Sequence, residues 1–271
     1  MLSTFNGTVS LKTLTLSSYA LRMQSNVKNQ RSIIIPYYNE AKRFPIEMFI
    51  CEAKIFSNIK FILVDDGSTD GLSSQICELI KIHELKNIFV FEQEQNLGKA
   101  AALHLGFLHC FKMKSSEIGY LDADFATSIK ELIRLFDILD STGADAVIGN
   151  RESTGDNSIV AKRYRLIAGR LFSTFVRLYF RINLIDTQCG AKVFRANNIL
   201  IKSLQQPIIN PWLYDLQLLV PIMKSGGTVI EASLKKWENS SESKFSLFQG
   251  LLAIFRLRRI KVAINKSLEK T

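Results

Sequence analysis

Five short runs rich in β-branched and aromatic residues punctuate the first half of the chain: Ser32 to Pro36, Phe61 to Asp65, Asn87 to Phe91, Gly119 to Asp122 and Ala146 to Gly149. Each is short enough to predict a strand, and the stretches between them carry apolar residues at helical spacing. Alternation of this kind predicts an α/β fold, a Rossmann-like, mostly parallel sheet with helices on both faces. No internal repeat or Pro-rich linker divides the chain, so a single domain is expected over residues 31–243. It is flanked by an N-terminal segment, 1–30, and a C-terminal tail, 244–271.

Polar residues gather at one kind of place. Tyr38-Asn39-Glu40, Asp65-Asp66-Gly67-Ser68 and Asp122-Ala123-Asp124 each follow the expected carboxyl end of a strand, the edge at which open α/β sheets bind ligands. Alternate side chains of an extended chain share a face, so Asp122 and Asp124 are expected to point the same way. Two hard oxygen ligands suit Mg²⁺ or Mn²⁺, which are held by one or two carboxylates plus substrate phosphates. The same Asp-x-Asp also fits a loop that caps the next helix. Pro36 fixes the chain as it leaves the first strand, and Tyr38 and Glu40 offer a ring and an acceptor to a nucleoside. An ordinary strand exit capped by Asn39, and an Asp-Gly turn, describe the first two loops equally well.

Composition narrows the class. With 47% hydrophobic and 22% charged residues among 271, the chain is globular. No apolar stretch approaches the roughly 18 residues needed to cross a bilayer; the longest, Leu247 to Phe255, is interrupted by Gln249 and Gly250, so no spanning helix is expected. Cys51, Cys77, Cys110 and Cys189 form no C-x-x-C pair and sit in apolar segments, which predicts reduced, buried thiols and no zinc site. His83, His104 and His109 fall in helical segments away from the strand ends and are read as structural. The net charge is +10, and the tail from Lys244 holds seven Lys or Arg against Glu269 alone. Within it Phe248, Leu251, Leu252 and Phe255 form a stripe followed by Arg256, Arg258, Arg259 and Lys261. That pattern fits a basic amphipathic helix on a membrane surface, or a stripe packed on the domain with solvated cations. Residues 1–30 contain no acid and many Ser and Thr, as in a flexible segment or a targeting peptide.

Seven stretches then stand in a telling order: Ile-Pro36-Tyr-Tyr38-Asn39-Glu40, Val-Asp65-Asp66-Gly-Ser-Thr-Asp70-Gly, Asn96-Leu-Gly98-Lys99, Leu-Asp122-Ala-Asp124, Gly-Asn-Arg151, Asp186-Thr-Gln188-Cys189-Gly190-Ala-Lys192 and Trp212-Leu-Tyr-Asp215. From Ser32 to Lys244 the chain resembles family 2 glycosyltransferases, in particular the branch of dolichyl-phosphate β-glucosyltransferases and polyprenyl-phosphate hexosyltransferases. The resemblance implies a GT-A fold and inverting transfer of a hexose from a nucleotide sugar to a polyprenyl or dolichyl phosphate. The Asp-Thr-Gln-Cys-Gly stretch looks most like the glucosyl branch, which implies UDP-glucose as donor. Pro36, Tyr38, Glu40, Asp65, Asp66, Lys99 and Asp122 would then bind the nucleotide sugar, and Asp122 and Asp124 the Mg²⁺ or Mn²⁺ ion. Arg151 and Arg165 would bind the acceptor phosphate, with Arg163 an alternative to Arg165. Asp215 corresponds to an acidic residue near the acceptor, where it orients the acceptor or acts as a base; Arg151 shares the catalytic assignment. An acceptor phosphate is already nucleophilic near neutral pH, so cationic positioning matters more than proton removal. Phe125 stands where close relatives often have Gly, Asn150 where Ser is common, and Ala100 where Gly is frequent.

Rival functions rank below this. Processive synthases carry transmembrane helices and a Gln-x-x-Arg-Trp motif, and the chain has neither. Transfer to a soluble or glycan acceptor is the enzymatic alternative. A basic nucleic-acid-binding protein would explain the charge but not acidic motifs at three strand ends, so no nucleic-acid partner is expected. With no spanning segment, the expected location is the cytoplasmic face of a membrane, met through the C-terminal tail.

Overall fold

The computed structural model describes residues 30–151, 174–235, 237 and 256–265. In chain order these form β1 (Arg31–Tyr37), α1 (Ile46–Ile55), β2 (Lys60–Asp65), α2 (Leu72–Ile82), β3 (Ile88–Glu92), α3 (Lys99–Lys112), β4 (Glu117–Tyr120), α4 (Ile129–Thr142), β5 (Ala146–Asn150) and α5 (174–180). There follow β6 (Lys192–Arg195), α6 (Asn198–Leu204), a 3₁₀ turn at Pro211–Leu213 that runs into α7 (Tyr214–Lys224), β7 (Val229–Ser233) and α8 (256–265). The strands make one sheet in the order β3-β2-β1-β4-β6-β5-β7. Every neighbouring pair is parallel except those of β6, which runs antiparallel to both β4 and β5.

Alternation along each strand divides the core into two layers. Ile34, Ile62, Val64, Ile118, Tyr120, Ile148 and Phe194 pack with Phe107 of α3 and Leu216 of α7. Ile33, Ile35, Phe61, Leu63, Val147 and Val193 pack on the opposite side with Phe49 of α1, Ile76 of α2 and Leu132 of α4. A sheet covered on both faces needs apolar residues at nearly every strand position, which is what makes its central strands conspicuous in sequence. Pro36 sits in the central strand without harm, because β4 ends opposite Ile34 and no neighbour there requires its missing N–H.

Two expectations change. The fourth strand runs over Glu117–Tyr120, two residues earlier than the Gly119 to Asp122 expected. Leu121 N still donates to Ile34 O at 3.0 Å, and the chain then turns, with Phe125 N donating to Asp122 O at 3.1 Å. Asp122 and Asp124 are therefore placed by a turn and not by strand alternation. The thiols also differ: Cys110 and Cys189 are buried, whereas Cys51 is exposed on α1 and Cys77 only partly covered. All four are free.

Residues 256–265 add Leu257, Ile260 and Ile264 to the first core layer, beside Val176 and Phe180 of α5. Lys261 Nζ donates to Tyr179 O at 3.2 Å and lies 4.4 Å from the Tyr179 ring centre. The stripe Phe248, Leu251, Leu252 and Phe255 lies outside the described residues, as do Arg163, Arg165 and residues 1–29. Among the described residues no helix is long and apolar enough to cross a membrane.

Helix α3 lies close over β1 at Gly106, where an added Cβ would overlap the Ile34 side chain. Ala is worth up to about 1 kcal/mol over Gly within a helix. Overpacking a full core costs about 1–3 kcal/mol, which is the larger effect. Gly106→Ala is therefore expected to lower the urea unfolding midpoint; an unchanged or raised midpoint would show that the α3–β1 interface has room.

Candidate active site

The loops that leave β1 and β2 are stitched together at the surface. Asn39 adopts a left-handed backbone with φ 51°, its Oδ1 accepting from Thr69 N at 2.9 Å and its N–H donating to Ser68 Oγ at 3.0 Å. Asp65 is buried and accepts from Ser68 N at 2.8 Å and from the Ser73 hydroxyl, which also pairs with Tyr37 Oη at 2.8 Å. Asp66, equally buried, accepts from Gln93 Nε2 at 2.8 Å, Leu97 N at 2.9 Å and Gly98 N at 2.8 Å. Burial raises the Asp66 pKa above its ordinary value against the pull of those two backbone N–H groups. These two carboxylates hold the loops in shape, and Asp66 sets the start of α3 and hence Lys99. Tyr38 is exposed on the same rim. Glu40 receives Arg43 at 2.5 Å on Oε1, while its buried Oε2 has no hydrogen-bond partner among the described residues.

At the centre of the edge, Lys99 Nζ bonds Asp122 Oδ1. Desolvation of this ammonium lowers its pKa, but Asp122, Asp215 and Asp124 outweigh that and raise it above the ordinary lysine value. One carboxylate expected from sequence, Asp122, thus meets the expected lysine directly, and the charges of the other two act on it. The turn that carries Asp122 and Asp124 is pinned from below: Phe125 has φ 50°, and its ring meets Phe44 edge-on at 5.4 Å. It is pinned from the side by Gly190, where any Cβ would overlap the Asp122 carboxylate. Asp215 opens α7 and accepts on Oδ1 from both Lys192 Nζ, at 2.7 Å, and the Tyr120 hydroxyl. Burial alone would raise its pKa; Lys192 and Lys99 reverse the sign and hold it below the usual carboxylate range.

Arg151 follows β5 and forms a two-pronged pair with Asp186, Nε to Oδ2 at 2.7 Å and Nη2 to Oδ1 at 2.8 Å. Its guanidinium carbon lies 5.6 Å from the Trp237 ring centre. Desolvation opposes the charge, yet Asp186 overcomes it and lifts the arginine pKa above its ordinary value. Asp186 is held in turn, because its N–H and that of Ile185 donate to the Glu231 carboxylate at 2.7 and 2.8 Å. One edge of Arg151 is therefore committed to a carboxylate, an arrangement sequence did not predict. Tyr120, Lys192 and Glu231 were given no role in sequence either. The visible signal was a charged residue inside an apolar run, Lys192 between Ala191 and Val193 and Glu231 between Ile230 and Ala232.

Sheet, helices and a carboxylate-lined strand edge define a GT-A glycosyltransferase. The chain belongs to glycosyl transferase family 2, whose model matches residues 32–199. It is 30% identical over 81% of its length to a dolichyl-phosphate beta-glucosyltransferase of Dictyostelium discoideum, of which it covers 69%. It is 28% identical over 80% of its length to the enzyme of the same description from Saccharomyces cerevisiae, again covering 69%. Among solved structures, glucosyl-3-phosphoglycerate synthase from Mycobacterium tuberculosis, in complex with Mn²⁺, UDP and phosphoglyceric acid, superposes with a TM-score of 0.61. That match spans 93% of this chain and 82% of the other at 14% identity, and so speaks to the fold.

Removing the Arg151 side chain leaves Asp186 buried without its fork. Breaking a buried pair costs about 3–5 kcal/mol, and the one-third exposure of Arg151 lets water recover part of that. Arg151→Ala is expected to destabilise the fold by about 1–3 kcal/mol, and Arg151→Ala/Asp186→Asn by less, in urea titrations. Equal midpoints for wild type and Arg151→Ala would mean that the pair contributes nothing to folding.

Proposed function

We propose that the chain transfers glucose from UDP-glucose to a polyprenyl or dolichyl phosphate, with inversion at the anomeric carbon. The observation that carries this reading is the Lys99–Asp122 pair at the strand edge, with Asp215 held beside it by Lys192 and Tyr120, in a chain whose relatives over most of its length include dolichyl-phosphate beta-glucosyltransferases.

The donor set fits a divalent ion. Asp122 is partly open and Asp124 stands two residues on in the same turn, offering hard oxygen to Mg²⁺ or Mn²⁺ with donor phosphates as further ligands. When bound, such an ion supplies Lewis-acid stabilisation of the departing nucleotide. The chain's own groups do the remaining work. Lys99 adds a second cation beside the leaving phosphates. Tyr38 and Glu40 line the rim where a base and ribose would sit, while Asp65 and Asp66 shape that rim from beneath. Asp215 orients the acceptor; its depressed pKa keeps it ionised, and an acceptor phosphate that is already anionic needs little proton removal. Arg151 contributes positive charge on the acceptor side while bracing Asp186, and Arg165 or Arg163 is assigned the second phosphate contact.

A lipid phosphate obliges the enzyme to meet a membrane. Helices α5 and α8 leave Leu178 75% exposed, with Phe175 and Val262 also open, and α8 presents Arg256, Arg258 and Arg259 to solvent. Apolar side chains bordered by cations gain both by burial at the headgroup boundary and by attraction to anionic lipid, about 1 kcal/mol per cation before screening. We place the protein as a peripheral enzyme on the cytoplasmic face of a membrane, with no nucleic-acid partner.

The deciding experiment incubates purified protein with each common nucleotide sugar, a polyprenyl phosphate and Mn²⁺ or Mg²⁺, and counts lipid-linked product with and without EDTA. Highest turnover with UDP-glucose, lost in EDTA, is expected. Preference for a GDP-sugar would reject the donor, and turnover only on soluble acceptors would reject the lipid.

For the membrane, Arg256→Glu/Arg258→Glu/Arg259→Glu is expected to abolish co-sedimentation with anionic liposomes. The folded core should survive, since Leu257, Ile260 and Ile264 are untouched. Full co-sedimentation by a folded triple variant would place the contact elsewhere.

A further inference from the structure

Lys192 begins β6 with a side chain at 0% exposure. An ammonium so placed must be fully partnered. Its Nζ donates to Cys189 O and to Asp215 Oδ1 and stands 5.4 Å from the Tyr120 ring centre. The Tyr120 hydroxyl donates to the same Asp215 oxygen. Two donors therefore grip Oδ1, and the carboxylate cannot rotate without breaking both. Oδ2 takes no hydrogen bond among the described residues and is left to the site.

We propose that Lys192 is a positioning residue for the transfer reaction: with Tyr120 it locks the Asp215 carboxylate so that Oδ2 faces the acceptor, and through Cys189 O it ties the 186–190 loop to the same anchor. The role rests on the reading of Asp215 as the group that orients the acceptor. Stability gives no reason for the pair, because apolar residues of similar volume are commonly as stable as a buried ion pair or more so. Its second bond matters as much as its first. Cys189 O lies one residue before Gly190, and Gly190 is the residue pressed against Asp122. One ammonium thus holds the acceptor-side carboxylate and the wall of the donor-side carboxylate in fixed relation. Misplacing reacting groups by about 1 Å costs roughly 100-fold in rate.

The test compares full-length wild type, Lys192→Met, Lys192→Arg, Tyr120→Phe and Lys192→Met/Asp215→Asn. Initial rates, calorimetric UDP binding in Mn²⁺ and urea midpoints are measured for each. Lys192→Met is expected to lose about 100-fold in kcat while UDP affinity and the KM for UDP-glucose stay within about threefold. Lys192→Arg should regain about tenfold of that loss, and Tyr120→Phe, which keeps the ring and Lys192, should lose about tenfold in kcat. The double variant should recover the midpoint lost in Lys192→Met and stay slow. A kcat for Lys192→Met within about threefold of wild type overturns the proposal, as does a joint fall of kcat, UDP affinity and midpoint that the double variant restores together. Should Lys192→Met not fold, Tyr120→Phe decides, and an undiminished kcat there overturns it. If wild type proves to use a soluble acceptor, the lipid reading fails, and the same variants assayed on that acceptor still judge Lys192.

Discussion

The site depends on one reversal in the sheet. β6 is inserted antiparallel between β4 and β5, so its first residue lies at the edge where the parallel strands end. The chain that enters β6, Asp186 to Ala191, must therefore cross the active edge, and it does so between the carboxyl ends of β4 and β5. That placement sets Gly190 against Asp122 and Asp186 against Arg151. A parallel strand in the same slot would carry its entry loop to the opposite edge, and neither contact would form.

Along this edge, among the described residues, three cations pair with carboxylates that belong to other elements. Lys99 of α3 meets Asp122 after β4, Lys192 of β6 meets Asp215 of α7, and Arg151 after β5 meets Asp186 before β6. Such pairs repay desolvation only with good geometry and further hydrogen bonds. The buried one, Lys192 with Asp215, has both in the Tyr120 hydroxyl and Cys189 O. The open one, Lys99 with Asp122, shows no further side-chain hydrogen bond among the described residues, and its attraction is weakened by solvent. Firmness is thus distributed by burial: the Asp215 carboxylate is gripped by two donors, and the Asp122 carboxylate meets Lys99 at a partly open position.

Strands β1, β2 and β5 were legible in sequence because burial on both faces demands unbroken apolar runs, and the partly buried edge strand β3 by its β-branched and aromatic run. β6 and β7 were not, because a charged residue, Lys192 at the start of β6 and Glu231 in the middle of β7, breaks the apolar pattern of each. The fourth strand was displaced because Leu121 is buried like a strand residue although the chain is already turning. Site residues at strand exits could be found by position, since topology alone carries them to the ligand edge. Their division of labour could not. Nothing local shows that Asp66 spends its oxygens on Gln93, Leu97 and Gly98 while Asp122 keeps an open carboxylate, because the donors lie some thirty residues away. The stripe expected at Phe248 to Phe255 lies outside the described residues, and the core-facing side chains of α8, Leu257, Ile260 and Ile264, were not singled out in sequence.

Phe125 shows how a bulky residue is accommodated in a left-handed turn. Its φ of 50° lies in the left-handed region, where glycine is at home and another residue costs about 1–2 kcal/mol. The ring returns a comparable amount, since aromatic pairs contribute about 0.5–1.5 kcal/mol each beyond burial and Phe125 contacts both Phe44 and Phe49, at 5.4 and 6.1 Å. A glycine would adopt the turn without strain but give up its attachment to the aromatic cluster. With phenylalanine, the turn bearing Asp122 and Asp124 is fastened to the aromatic cluster under α1, and the two carboxylates take their position from the core instead of from the loop.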